Sequence, residues 1–433
     1  MANSIRFDIS EIVSAADRPL NIRLKGLLPN QQVTIRAHRP TISPTIFLES
    51  YGEFAADASG NVDLDTQAPI CGTYSEVDGM GLFWSMHFAE VSNSNEAPDT
   101  TPLSPMRFTL TAHDKDEILA TATLKRVWLF PTVSRVSVRE NGLVATYFHH
   151  GDSNTRPGVI VFEGAQGGLH EHTAALLASH GYATLALAYY GTEYLPSDIV
   201  NIPLEYVESA IKWFVSQPGV SKEWMGVHGT SKGGELALLS ASLFSEIKSV
   251  VCVASWGIIF HGIQARGSAK LPAAWTYRGQ PVPYASEDNP YRAGKIAPPT
   301  SNLVSYRPWY NAHLSNEDIV SKATIPVESI HGSILFISGE QDQMLDSVRV
   351  SALSMQRLRE AHHPYHFEHL VYPEAGHAIR LPYRLSTIHT QVPKVQQVTL
   401  VGGGDMYANA QASADSWERI LQFFSQESKV VQF

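Results

Sequence analysis

The feature that most constrains how this chain can fold is a change of hydrophobic rhythm near Val133. Upstream, apolar and polar residues alternate over short runs broken by turns. Downstream, continuous apolar runs alternate with stretches of helical spacing. A period of two puts one face of a strand on a core and the other in water, whereas a continuous run suits a parallel strand covered on both faces. The two patterns ask for different layer architectures, so two domains are expected, 1–133 and 134–433. The length agrees, because 433 residues exceed one ordinary domain of roughly 100–200 residues.

In the first region Ile22–Leu27, Val33–Ala37, Phe47–Tyr51, Val62–Leu64, Leu82–Met86, Arg107–Ala112 and Ala120–Leu124 read as strands. Leu28-Pro29-Asn30 and Ala58-Ser59-Gly60-Asn61 read as turns, and Ser94–Pro102 as a polar loop. Turn signals recur about every 8–15 residues and no helical period persists, which is the pattern of an all-β, immunoglobulin-like sandwich.

In the second region, runs at Leu143–Phe148, Gly158–Phe162, Ala183–Ala188, Met225–His228, Val250–Ala254, Ile334–Ser338 and His369–Tyr372 read as strands. Helical spacing falls at Thr173–His180, Leu204–Val215, Gly233–Leu243, Ser347–Ala361 and Ala412–Phe424. Such alternation builds a mostly parallel, doubly wound α/β sheet with helices on both faces. The segment 256–329 interrupts it, being irregular and rich in Pro, Trp and Tyr. A structureless loop of that length is uncommon inside a compact domain. A cap or lid is expected there, with a peripheral insertion unrelated to any site as the alternative.

Gly229-Thr230-Ser231-Lys232-Gly233 is a G-x-S-x-G motif that follows one of these strands and opens a helix. That context is what a nucleophile elbow requires: a tight strand-to-helix turn, flanked by small residues, that exposes the serine hydroxyl. The turn also aims the backbone N–H of Lys232 at an oxyanion, at the positive end of the helix dipole. A serine hydroxyl needs a base, and a base needs an orienting acid. In the chain order Ser, acid, His, the strand Ile334–Ser338 ends in a turn carrying Asp342, with Asp346 and Glu340 as competitors. Sites in open α/β sheets lie at such carboxyl ends of strands. Gly376-His377 follows the strand at His369 and supplies the base. His362, His363, His366, His369 and His389 crowd the same stretch but lack a paired ligand spacing on a firm helix, so no metal is expected. A second oxyanion donor is expected from the loop Glu163-Gly-Ala-Gln-Gly-Gly168, from the N–H of Ala165 or, second, of Gln166. That loop is neither a dinucleotide fingerprint nor a P-loop.

Charge excludes other functions. Lys and Arg number 32 against 42 Asp and Glu, a net −10, so no global basic field exists for nucleic acid or an anionic membrane. Cys71 and Cys252 are too few for a disulfide framework and read as buried thiols in a reducing compartment. The start of the chain lacks an apolar signal region, and it ends Lys429-Val-Val-Gln-Phe433 rather than Ser-Lys-Leu. An intracellular, cytoplasmic protein is therefore expected.

The segments Pro19–Pro29, Val33–Ala37, Met80–Trp84, Val138–Thr146, Gly167–Glu171, Ala183–Tyr190, Gly229–Leu236, Glu374–His377, Pro382-Tyr383 and Ala410–Trp417 carry a likeness to a known family. In them the chain resembles the type I acyl-CoA thioesterases and the bile acid-CoA:amino acid N-acyltransferases, over about residues 18 to 425. The resemblance implies a β-sandwich followed by an α/β-hydrolase domain. It also implies cleavage or transfer of the acyl group of a coenzyme A thioester, which is the substrate, with no further cofactor. The family's nucleophile, acid and base map onto Ser231, Asp342 and His377. In the amino acid conjugating branch the nucleophile is usually Cys. Serine here favours water as acceptor and therefore hydrolysis, with transfer to an amine or alcohol as the alternative. The chain departs from the family at Gln166, where a further Gly is usual, at Tyr407-Ala-Asn409 in place of Ala-His-Ala, and in its longer, more aromatic 256–329 segment. Arg135, Arg139, Lys125 and Arg126 near the junction read first as a solvated charged face, with recognition of the phosphates of coenzyme A as the alternative.

Overall fold

A computed structural model describes residues 4–41, 43, 45–90, 101, 103–264, 271–285, 289, 290, 295, 297–391 and 398–429. They fall into two compact units, Met1–Phe130 with Leu381–Ser386, and Pro131–Arg380 with Thr387–Phe433. The expected loop Ser94–Pro102 lies, Thr101 apart, outside the described residues.

The first unit is built of β-strands, as its period of two dictates. Its larger sheet has seven strands, with Val13–Ala15, Glu117–Val127, Met106–Asp114, Gln32–Pro40, Ile46–Ala55 and Cys71–Gly72 in that order, and His87–Glu90 on Ile46–Ala55. Every pairing in it is antiparallel except that of Val13–Ala15 with Glu117–Val127. A second sheet orders Arg6–Ile9, Ile22–Lys25 and Asn61–Asp63, also antiparallel. Alternation is visible in Gln32–Pro40, where Val33, Ile35 and Ala37 are buried between more exposed neighbours.

Two expectations are corrected here. Leu82–Met86 is not a strand; Gly81–Trp84 forms one helical turn with all its residues buried. Asp78 sets it, its carboxylate accepting from Met80 N at 2.8 Å and from Trp84 Nε1 at 2.8 Å. A short, wholly apolar run carries no period that could tell strand from helix. Cys71 is exposed rather than buried, while Cys252 is buried. Cys71 lies on a short strand paired only at Gly52 and Glu53.

The second unit carries an eight-stranded sheet. Its strands are β1 (Val133–Val138), β2 (Val144–His150), β3 (Arg156–Phe162), β4 (Ala183–Ala188), β5 (Val220–Thr230), β6 (Ser249–Val253), β7 (Ser333–Gly339) and β8 (Phe367–Tyr372). The spatial order is β1-β2-β4-β3-β5-β6-β7-β8. β2 runs antiparallel to β1 and β4, and the remaining pairings are parallel. The central strands are buried along their whole length in β4, β6 and β7, which is why they read as continuous apolar runs. Between them lie α1 (His172–Ser179), α2 (Glu205–Val215), α3 (Lys232–Leu243), α4 (Ser347–Glu360) and the closing α5 (Met406–Ser428). The fold is thus a mostly parallel α/β-hydrolase sheet preceded by an antiparallel β-rich region. No helix among the described residues is long and apolar enough to cross a membrane.

The segment 256–329 is not structureless. It contains helices Arg307–His313 and Glu317–Ala323 and a short strand Trp275–Tyr277. Trp256, Phe260, Trp309 and Tyr310 pack in one apolar cluster with Leu345 and Val350, which follow β7. These residues of the segment therefore lie against the chain just after Asp342.

Candidate active site

Ser231 sits between β5 and α3 with φ 53° and ψ −124°. A positive φ on a residue with a side chain is strained by about 1–3 kcal/mol, so the surroundings must impose it. They do so by close approach. A Cβ on Gly229 would lie 2.3 Å from the Gly233 carbonyl oxygen, and one on Gly233 would lie 2.5 Å from the carbonyl oxygens of Phe162 and Glu163. These are backbone atoms that cannot rotate away, which is why the motif has glycine at both positions. Ser231 N donates to Val253 O at 2.8 Å, and Ser255 Oγ donates to Ser231 O at 2.6 Å, so β6 holds the turn from the other side.

His377 and Asp342 come from loops beyond β8 and β7. Ser231 Oγ lies 3.1 Å from His377 Nε2, and His377 Nδ1 lies 2.9 Å from Asp342 Oδ2. An ionised carboxylate only accepts, so Nδ1 carries the proton and Nε2 presents its lone pair to the serine hydroxyl. Asp342 is fully buried, and its Oδ1 accepts from Met344 N at 2.8 Å and Leu345 N at 3.1 Å. The competing acids point elsewhere: Asp346 caps α4 and pairs with Arg307 at 3.1 Å, while Glu340 is exposed. The imidazole keeps 18% of its side-chain surface exposed, enough for a solute to reach it.

The loop after β3 lies beside the serine. A Cβ on Gly164 would be 3.2 Å from Ser231 Cβ. Ala165 and Gln166 are exposed, and Tyr189 Oη braces the loop by donating to Glu163 O at 2.8 Å. No protein acceptor is recorded for the N–H of Lys232 or Ala165 among the described residues. The crowded histidines disperse instead of gathering. His363 faces Gly332 O, His369 Nε2 faces Ser338 Oγ at 2.9 Å, and burial holds His369 low at about 4.

Of the four cations near the junction, Arg126, Arg135 and Arg139 already have partners. Arg126 is buried, its guanidinium donating to Ala16 O at 2.8 Å and to Arg18 O. Arg135 forks onto Glu171 at 2.8 and 3.0 Å, and Arg139 onto Glu193 at 2.8 Å. Only Lys125 is left as an exposed cation with no such ion pair recorded. Sequence proximity could not show that the arginines already have partners 36 and 54 positions away.

The parts played by two further residues escaped the sequence reading, which noted Asn409 only as a departure from the family pattern. Arg307 donates to the carbonyls of Glu340 and Asp342, both at 3.1 Å, and so fastens the acid-bearing turn. Asn409, fully buried on α5, accepts from Gly376 N at 2.7 Å and donates to Gly403 O at 3.2 Å, clamping the loop of His377. The signal for Asn409 was its place in Tyr407-Ala-Asn409, where the chain departs from the family pattern. Arg307 had no signal, because its partners are 33 and 35 residues away.

Residues 17–140 match the family described as "Acyl-CoA thioester hydrolase/BAAT N-terminal region", and residues 202–429 match "BAAT / Acyl-CoA thioester hydrolase C terminal". The chain is 32% identical to acyl-coenzyme A amino acid N-acyltransferase 1 of Mus musculus, over 94% of each chain. It is 29% identical to the peroxisomal succinyl-coenzyme A thioesterase of Mus musculus, over 95% of this chain and 94% of that one. Acyl-coenzyme A thioesterase 1 of Homo sapiens is 30% identical, over 94% of this chain and 93% of its own.

Proposed function

Because the chain belongs to the acyl-CoA thioester hydrolase/BAAT family, we propose that it hydrolyses acyl-CoA thioesters through a serine acyl-enzyme. The observation that carries this reading is the continuous Ser231–His377–Asp342 hydrogen-bond series, at 3.1 and 2.9 Å. Ser231 Oγ attacks the thioester carbonyl carbon while its proton passes to His377 Nε2. Asp342 holds the imidazole in the required tautomer and stabilises the cation that forms. Negative charge collects on the carbonyl oxygen, where the N–H groups of Lys232 and Ala165 receive it. One such donor contributes about 3 kcal/mol to the transition state. The C–S bond then breaks, and the sulfur takes the proton from His377 and leaves as coenzyme A. Water, deprotonated by His377, attacks the acyl-enzyme; the free acid departs and Ser231 regains its proton.

Serine as nucleophile supports water as the acceptor. The N-acyltransferase relative at 32% identity supports a second reading, transfer of the acyl group to an amine. A panel of acyl-CoA thioesters, with free thiol and product both measured, separates the two. Free acid is expected with and without amino acids present, and an amide as main product would overturn hydrolysis. Ser231→Ala is expected to lower thiol release by at least about 10⁴-fold. Retained turnover of the same substrates by a folded Ser231→Ala variant would remove the nucleophile assignment.

A further inference from the structure

Immediately after the candidate nucleophile the chain buries a charge. The Lys232 side chain is 1% exposed and that of Glu235 0% exposed, and Nζ lies 2.7 Å from Oε1. A single elbow would not require either charge, since α3 is otherwise lined by small and apolar residues. Both groups bond to residues of the segment that begins at Trp256. Lys232 Nζ donates to Phe260 O at 3.0 Å and to His261 O at 3.3 Å. Glu235 accepts from Trp275 Nε1 at 2.6 Å, from Phe260 N at 3.2 Å and from Trp256 Nε1. The Lys232 ammonium also sits 5.7 Å from the Trp256 ring centroid and 5.6 Å from that of Trp275, within cation–π reach.

We infer that the buried Lys232–Glu235 pair is a positioning device, which ties the oxyanion-donating start of α3 to Trp256, Phe260, His261 and Trp275 and so fixes the direction of the Lys232 N–H. The inference rests on the hydrolase reading of Ser231. An ion pair withdrawn from water gives little net stability compared with apolar side chains of similar size, but it demands one geometry. Here the demand falls on the residue whose own backbone N–H must point at a developing oxyanion. The partners of the tie are themselves packed: Ile259, Ala274 and Trp275 belong to the main core of the sheet, and Trp256 and Phe260 to the aromatic cluster. Burial pushes the Lys232 pKa down, and the Glu235 carboxylate beside it opposes that shift.

The test compares K232M, E235Q and K232M/E235Q in the full chain. It reads melting temperature, kcat and KM for thiol release, and the rate of labelling of Ser231 by a fluorophosphonate. K232M leaves a carboxylate buried and unpaired, so a large fall in melting temperature is expected. The double variant removes both charges and keeps one acceptor oxygen where the carboxylate had two, so its melting temperature recovers part of the loss. Its kcat is nonetheless expected to remain at least about 30-fold down, with KM within about threefold and labelling slowed in parallel. A double variant with both melting temperature and kcat restored would overturn the inference, because the pair would then be structural only. Should the double variant not fold, E235Q decides, and unchanged kcat and labelling rate would overturn it. If the wild-type chain releases no thiol from any acyl-CoA yet is labelled at Ser231, the hydrolase reading fails while the labelling rates still test the tie.

Discussion

The elbow around Ser231 and the segment 256–329 stand side by side in one unit and are built by opposite means. The elbow is held by exclusion: at Gly229 and Gly233 there is no volume for a side chain, and backbone abuts backbone. The segment is held by attraction among large side chains, with Phe260 and Tyr310 rings 4.7 Å apart and Trp256 and Tyr310 5.4 Å apart. Steric exclusion is local and leaves a mark in the sequence, a glycine at a fixed spacing. Attraction among aromatic side chains is collective and leaves only a composition. The difference teaches why one region could be read as a functional element and the other only as an interruption.

If that contrast is right, the segment should suffer most from losing bulk. Trp309→Ala removes a ring that is buried in the cluster and donates to His261 Nε2 at 3.0 Å. We predict a loss of about 3–5 kcal/mol in stability, measured by denaturant unfolding; a loss under about 1 kcal/mol would mean the cluster is loosely packed and break the comparison. The elbow should suffer from gaining bulk. Gly233→Ala sets a methyl 2.5 Å from two carbonyl oxygens, and we predict about 1–3 kcal/mol of destabilisation together with loss of fluorophosphonate labelling. Gly151→Ala, where nothing lies within 4 Å, is the control and should stay within about 0.5 kcal/mol. Equal effects at Gly233 and Gly151 would show that exclusion does not hold the elbow. Asn409→Ala probes a third means, polar clamping. It strips the acceptor from Gly376 N and a donor from Gly403 O, and about 1–2 kcal/mol of stability should go with them. The loosened His377 should lower kcat by about tenfold with KM little changed. An unaltered kcat would restrict Asn409 to the fold.

How far the sequence carried can be judged at particular residues. The rhythm change near Val133 announced two architectures, and the run Ala183–Ala188 has the bounds read for it. The helix expected from Ala412 begins at Met406, where Asp405 caps it by accepting from Tyr407 N and Ala408 N. An Asp cap was available to be read, but the glycines before it look like the end of a loop rather than the start of a helix. Gly81–Trp84 misled because four buried apolar residues have no period. Leu381–Ser386, which packs with the first unit, gave no sign of it. Its neighbours on both sides read as part of the second.

What the sequence determined by itself was whatever depends on neighbours along the chain: the strand and helix periods, the glycines that permit Ser231 its φ of 53°, and the order Ser231, Asp342, His377. Family membership rests on the same linear record. The tertiary structure decided which of three acids meets the histidine, that Arg126, Arg135 and Arg139 are already engaged, and that Lys232 and Glu235 close on each other inside the protein. Those outcomes turn on distances between residues remote in sequence. They are settled only when burial removes water and forces each charge and each amide to find the partner that the fold has brought near.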